Sequence, residues 1–119
     1  MHMVLGLVHD LFFGARIRET ARALSVPCEI VKDPAVLLER AAAAQPSVVI
    51  VDMSLRSGDP AAAVRALKAD GRTSTISVVG YLFDSDDAAI RAARAAGCDK
   101  VLSRGGFTQR LAEIIGSKG

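Results

Sequence analysis

Residues 47–55 read Ser-Val-Val-Ile-Val-Asp-Met-Ser-Leu, and this run constrains the fold more than any other stretch of the chain. Four consecutive β-branched residues without polar alternation mark a strand buried on both faces, the habit of a central parallel strand covered by helices. Ligands of open α/β sheets bind outside the carboxyl ends of such strands, near the switch in strand order. Asp52, at the end of the run, is therefore the leading site candidate, with a loop-capping role as its alternative.

The stretches on either side repeat the theme. Val4-Leu5-Gly6-Leu7-Val8 is a second buried-strand pattern and exits in His9-Asp10. From Phe13, the apolar positions Phe13, Ile17, Ala21 and Leu24 recur at helical spacing, with Arg16, Arg18, Glu19 and Arg22 opposite. Cys28-Glu29-Ile30-Val31-Lys32 alternates in part, as an edge strand does. Asp33-Pro34 and Asp59-Pro60 are helix starts, the first leading into Val36, Leu37, Ala41 and Ala44, the second into Val64 and Leu67. Residues 76–82 read as a fourth strand. Asp84-Ser85-Asp86-Asp87 then offers caps for a helix holding Ile90, Ala93 and Ala96 that stops at Gly97. Lys100-Val101-Leu102-Ser103 is a short fifth strand, Arg104-Gly105-Gly106 a turn, and a last helix with Leu111, Ile114 and Ile115 begins at about Thr108. Five strands alternating with five helices through short loops predict an α/β protein, a doubly wound (βα)5 parallel sheet with helices on both faces.

A chain of 119 residues fits one domain, spanning 1–119, with a core that needs no disulfide or metal staple. Fifteen basic residues are interspersed with thirteen acidic ones without a basic run, which argues against nucleic acid as a partner. Cys28 and Cys98 stand in no metal-binding or redox spacing and read as small hydrophobes in a reducing compartment. The start lacks a signal peptide's basic region, and residues 4–8 are too few to span a bilayer, so the expected location is the cytoplasm, without membrane insertion.

The alternation, the length and the acids ending strands one and three resemble the receiver domain of two-component response regulators, over essentially the whole chain. Counting without gaps from Ile76 through Ala95-Ala96-Gly97-Cys98-Asp99 to Arg104, the residues follow the family's fourth strand, alanine-rich helix, Ala-Gly-Ala-Asp turn and fifth strand. The resemblance implies strand order 2-1-3-4-5 and makes Asp52 the acceptor of a phosphoryl group from a histidine kinase. It also implies a magnesium site from Asp10, Asp52 and the backbone carbonyl of Ser54.

Most of the family's other positions are altered. The paired acids of strand one are His9-Asp10, the hydroxyl residue after strand four is Leu82 followed by Phe83, and the lysine after strand five is Arg104. The aromatic of strand five is Val101, and the Pro-x-x-x-Gly loop is replaced by Arg56-Ser57-Gly58-Asp59-Pro60. Losing one acid to His9 weakens a Mg²⁺ site, because the ion is hard and favours oxygen. Leu82 cannot donate to a phosphoryl oxygen, a bond worth about 1.5–3 kcal/mol. Arg104 keeps the charge in a longer, forked form suited to clamping Asp52 or Asp10 bidentately. His9 is expected as a hydrogen-bond partner rather than a titrating switch.

These departures predict a degenerate member, a pseudo-receiver that acts by binding another signalling protein, either a histidine kinase or a downstream target. The alternative is a phosphorylation-competent single-domain response regulator of bacterial type, its chemistry limited to self-phosphorylation and dephosphorylation at Asp52. Phe83, Arg91, Arg94, Phe107 and Arg110 are the candidate partner surface, and Phe83 with Tyr81 and Leu82 makes the rim apolar. A flavin or nucleotide enzyme on the same fold is disfavoured, because His9-Asp10-Leu11-Phe12-Phe13-Gly14 is no phosphate cradle.

Overall fold

A computed structural model of the chain describes residues 2–55, 58–83 and 87–116. Arg56 and Ser57 of the altered loop, and the caps expected from Asp84, Ser85 and Asp86, lie outside the described residues. Strands β1 (Val4–Leu7), β2 (Cys28–Val31), β3 (Val48–Asp52), β4 (Ser77–Leu82) and β5 (Lys100–Ser103) form one parallel sheet in the order β2-β1-β3-β4-β5. Helices α1 (Leu11–Ala23), α2 (Leu37–Ala44), α3 (Pro60–Ala69), α4 (Asp87–Ala96) and α5 (Arg104–Gly116) connect or follow them, with a short 3-10 turn, Pro34–Val36, before α2. This is the expected doubly wound fold, and β3 lies at its centre.

Strand alternation sorts the core into two layers. Val4, Val48, Ile50, Val79 and Tyr81 pack with Phe13, Ile17, Phe107 and Leu111 of α1 and α5. Leu5, Leu7, Val49, Val51 and Val78 pack on the other face with Leu37, Val64, Leu67 and Ala93 of α2, α3 and α4. Asp52 shares the parity of Val48 and Ile50 and pairs in register with Tyr81, which puts its side chain on the α1/α5 face at the sheet's carboxyl edge.

Three boundaries differ from the sequence expectation, each for a local reason. Helix α1 begins at Leu11 because Asp10 caps it, Oδ1 accepting from the backbone N–H of Phe12 at 2.8 Å and of Phe13 at 3.2 Å. The helix ends one residue before Leu24, which is 42% exposed rather than part of the apolar stripe. Helix α5 begins at Arg104, not near Thr108: the Ser103 hydroxyl accepts from the Gly106 N–H at 3.0 Å, and a buried Phe107 anchors the first turn despite two glycines. Among the described residues no helix is long and apolar enough to cross a membrane.

Candidate functional site

Asp52 is 4% exposed. Its Oδ1 accepts from the Ser54 N–H at 2.9 Å, and the Ser54 hydroxyl in turn accepts from the Phe83 N–H at 3.0 Å, tying the end of β3 to the end of β4. Burial raises the Asp52 pKa; the Ser54 N–H opposes this, Asp10 pushes it further up, and Arg104 and His9 relieve it in part. The charge of Asp10 is thus felt at Asp52.

Arg104 does not form the expected bidentate clamp. Among the described residues its nearest carboxylate contact is Nη2 to Asp10 Oδ2 at 4.0 Å, too long for a hydrogen bond. The guanidinium carbon instead sits 4.4 Å from the Phe83 ring centroid and 5.3 Å from that of Phe13, positions at which an aromatic face attracts a cation. The reason is local: the Phe12 and Phe13 amides hold Asp10 Oδ1, so only Oδ2 turns toward the arginine, and Phe83 offers an aromatic face beside it.

A second correction concerns Phe107, expected on the partner surface. It is fully buried, its ring stacked on Tyr81 at 4.7 Å and tilted against Phe13 at 5.4 Å. Tyr81 also meets Phe13 at 4.8 Å and Phe83 edge-on at 6.4 Å. Of the chain's four phenylalanines and single tyrosine, all but Phe12 thus gather beneath the acid rim. The signal that could have found this layer is parity, since Tyr81 is the register partner of Asp52.

Leu82 is buried, and Val101 is half-buried against the α2/α3/α4 layer. His9 is exposed, and its ring makes no hydrogen bond among the described residues, so the partner role expected of it is not met. Arg91 and Arg94 are exposed on α4, while Arg110 pairs with Glu113 at 3.5 Å within α5. Phe83 remains 41% exposed beneath Arg104, and Phe12, at 88%, is the most exposed large hydrophobic residue described.

The acids were also expected to hold magnesium. Among the described residues, no set of three or more His, Cys, Asp or Glu converges on a metal position. A hard cation would be held by carboxylate oxygens of Asp10 and Asp52 with the Ser54 carbonyl, water completing the shell. Asp10 Oδ1 and Asp52 Oδ1 already accept backbone N–H bonds, and Arg104 lies beside Asp10 Oδ2. The donor set fits only a reduced form of such a site.

The raised pKa of Asp52 makes stability depend on pH. The folded chain holds that proton more tightly than the unfolded chain does. Stability from this group is full below the ordinary carboxylate pKa of about 3.9 and is lost as pH rises through the raised folded value. Asp52→Asn, which keeps an acceptor for Ser54, is expected to melt a few degrees above wild type at pH 7, and the gap is expected to close toward pH 3.5. Thermal melts of both proteins at the two pH values check this; a wild type more stable at pH 7 contradicts it.

No family model and no curated protein matches the sequence. Solved structures do. A response regulator from Hahella chejuensis superposes with a TM-score of 0.86 at 20% identity, covering 97% of this chain and 92% of that one. The signal receiver domain of a DNA-binding response regulator from Colwellia psychrerythraea gives 0.83 at 18%, covering 96% and 95%. The receiver domain of a sensor histidine kinase from Pseudomonas aeruginosa, with a magnesium ion coordinated in its active-site cleft, gives 0.81 at 17%, covering 98% of both chains. The architecture is that of response-regulator receiver domains.

Proposed function

We propose that the chain is a receiver module of bacterial two-component signal transduction, located in the cytoplasm, whose pocket is atypical and whose output is contact with another signalling protein, a histidine kinase or a downstream target. The observation that carries this reading is the state of the pocket's cation. Arg104 rests on the Phe83 ring at 4.4 Å, while the nearest carboxylate oxygen among the described residues, Asp10 Oδ2, is 4.0 Å away. Leu82, at the end of β4, has no side-chain donor to offer a phosphoryl group, so occupancy at Asp52 has lost its usual route to a rearrangement.

A second reading has its own support: Asp10 and Asp52 share one rim, and Asp52 has an oxygen besides the one that accepts from Ser54. In this reading Asp52 still accepts a phosphoryl group. Intact mass after incubation with acetyl phosphate and Mg²⁺, for wild type and Asp52→Ala, separates the two. An unmodified wild type supports the contact-only reading. An adduct of about 80 Da that disappears in Asp52→Ala supports the second.

A further inference from the structure

We propose that Tyr81 supplies the hydroxyl this pocket lacks at Leu82, its Oη–H donating to an oxygen of a phosphoryl group carried on Asp52. The inference rests on the second reading above, that Asp52 accepts such a group.

Tyr81 and Asp52 are register partners on adjacent parallel strands, so their side chains rise from the same face of the sheet. The Tyr81 ring is fully buried and packs against both Phe13 and Phe107, at 4.8 and 4.7 Å. Its hydroxyl is nonetheless the one buried side-chain polar atom among the described residues without a hydrogen-bond partner. Buried tyrosines ordinarily find a partner, and a phenylalanine would fill this slot without the cost of an orphaned hydroxyl. An orphan at this point, one strand from Asp52, is what a donor awaiting an oxygen would leave in the unmodified pocket.

The hydroxyl also feels the pocket's charges. After burial, the groups that move its pKa are Asp52 and Asp10, which raise it, and Arg104, which lowers it. These are the pocket's own charged groups. The shift is upward, so the phenol keeps its proton and remains a donor at any physiological pH. Leu82, the neighbouring residue at the end of β4, carries no hydroxyl, so Tyr81 delivers one from the α1/α5 side.

With acetyl phosphate, a carboxylate oxygen of Asp52 attacks phosphorus and forms the new P–O bond. The bond between phosphorus and the acetyl oxygen breaks, and acetate leaves with that electron pair. Tyr81 gives up no proton; it shares its hydrogen with a non-bridging phosphoryl oxygen, which carries more charge as transfer proceeds.

The test compares wild type, Tyr81→Phe and Tyr81→Phe/Leu82→Thr with acetyl phosphate and Mg²⁺, reading adduct fraction and lifetime by intact mass and melting temperature in parallel. The chain has no tryptophan and one tyrosine, so wild-type tyrosine emission reports this pocket alone and is expected to change as the adduct forms. Tyr81→Phe is expected to lower the adduct fraction about tenfold while melting no lower than wild type, and the added threonine to recover most of the loss. Equal adduct level and lifetime in Tyr81→Phe overturn the role of Tyr81 and leave acceptance at Asp52 standing. A loss accompanied by a lower melting temperature also overturns it, because the hydroxyl would then serve the fold. A wild type without adduct overturns acceptance itself and this inference with it.

Discussion

Replacing Phe107 by alanine is expected to lower the free energy of unfolding by about 3–5 kcal/mol, a large part of the roughly 5–15 kcal/mol that holds a domain together. The ring is fully buried, stacked on Tyr81 at 4.7 Å and against Phe13 at 5.4 Å. Truncation removes its transfer free energy and leaves a cavity that neighbours on three different elements, α1, β4 and α5, cannot easily close. Breaking each aromatic pair adds about 0.5–1.5 kcal/mol. Phe107→Leu keeps most of the volume and is expected to cost less than half as much. Denaturant unfolding followed by circular dichroism checks both values. A Phe107→Ala midpoint close to wild type would return the residue to the surface where its sequence context places it.

The position of Phe107 shows which features of the chain are legible in one dimension. The central strand announces itself because Val48, Val49, Ile50 and Val51 leave no polar face, and a parallel sheet follows from alternation and short loops, whereas its order β2-β1-β3-β4-β5 is implied only by the family resemblance. Asp10 and Asp52 are found because each stands at the exit of such a strand. The start of α5 is hidden because Gly105-Gly106 carries the composition of a turn, whereas the Ser103 hydroxyl and the buried Phe107 ring decide otherwise. If α5 began at Thr108, Phe107 would fall in a loop and read as surface; with the helix begun at Arg104, it faces the sheet.

The pocket's cation is hidden for a different reason. Charge alone pairs Arg104 with Asp10 or Asp52. The competing partner is the face of Phe83, which follows β4 and reaches the arginine only through the fold. The Asp10 carboxylate is also divided between capping α1 and facing Arg104. Neither relation has a sequence spacing that would reveal it. The aromatic layer beneath the rim is legible only after register is known, because it joins residues of α1, β4 and α5 with one from the segment after β4.

The other large effect is expected at Gly97, where the chain turns from α4 into β5. Its φ of +121° lies where side-chain-bearing residues are rarely found, a cost of about 1–3 kcal/mol for a non-glycine residue. Space is also denied: a Cβ there would stand 2.7 Å from Lys68 Cγ and 3.6 Å from Val64 Cγ1. The lysine cannot simply swing aside. Its Nζ donates to the Ile76 carbonyl at 2.9 Å and to Asp99 Oδ2 at 2.8 Å, and that same oxygen accepts from the Val78 N–H at 2.7 Å, so moving the stem disturbs the start of β4 and the approach to β5 together. Gly97→Val is therefore expected to cost about 2–4 kcal/mol, backbone strain and disrupted hydrogen bonds contributing together. In a double-mutant cycle with Lys68→Ala, the pair is expected to be less destabilised than the sum of the single variants, since removing the stem relieves the clash but not the strain. Strict additivity in chemical unfolding would mean that Lys68 yields freely, and that the dihedral angle alone demands glycine.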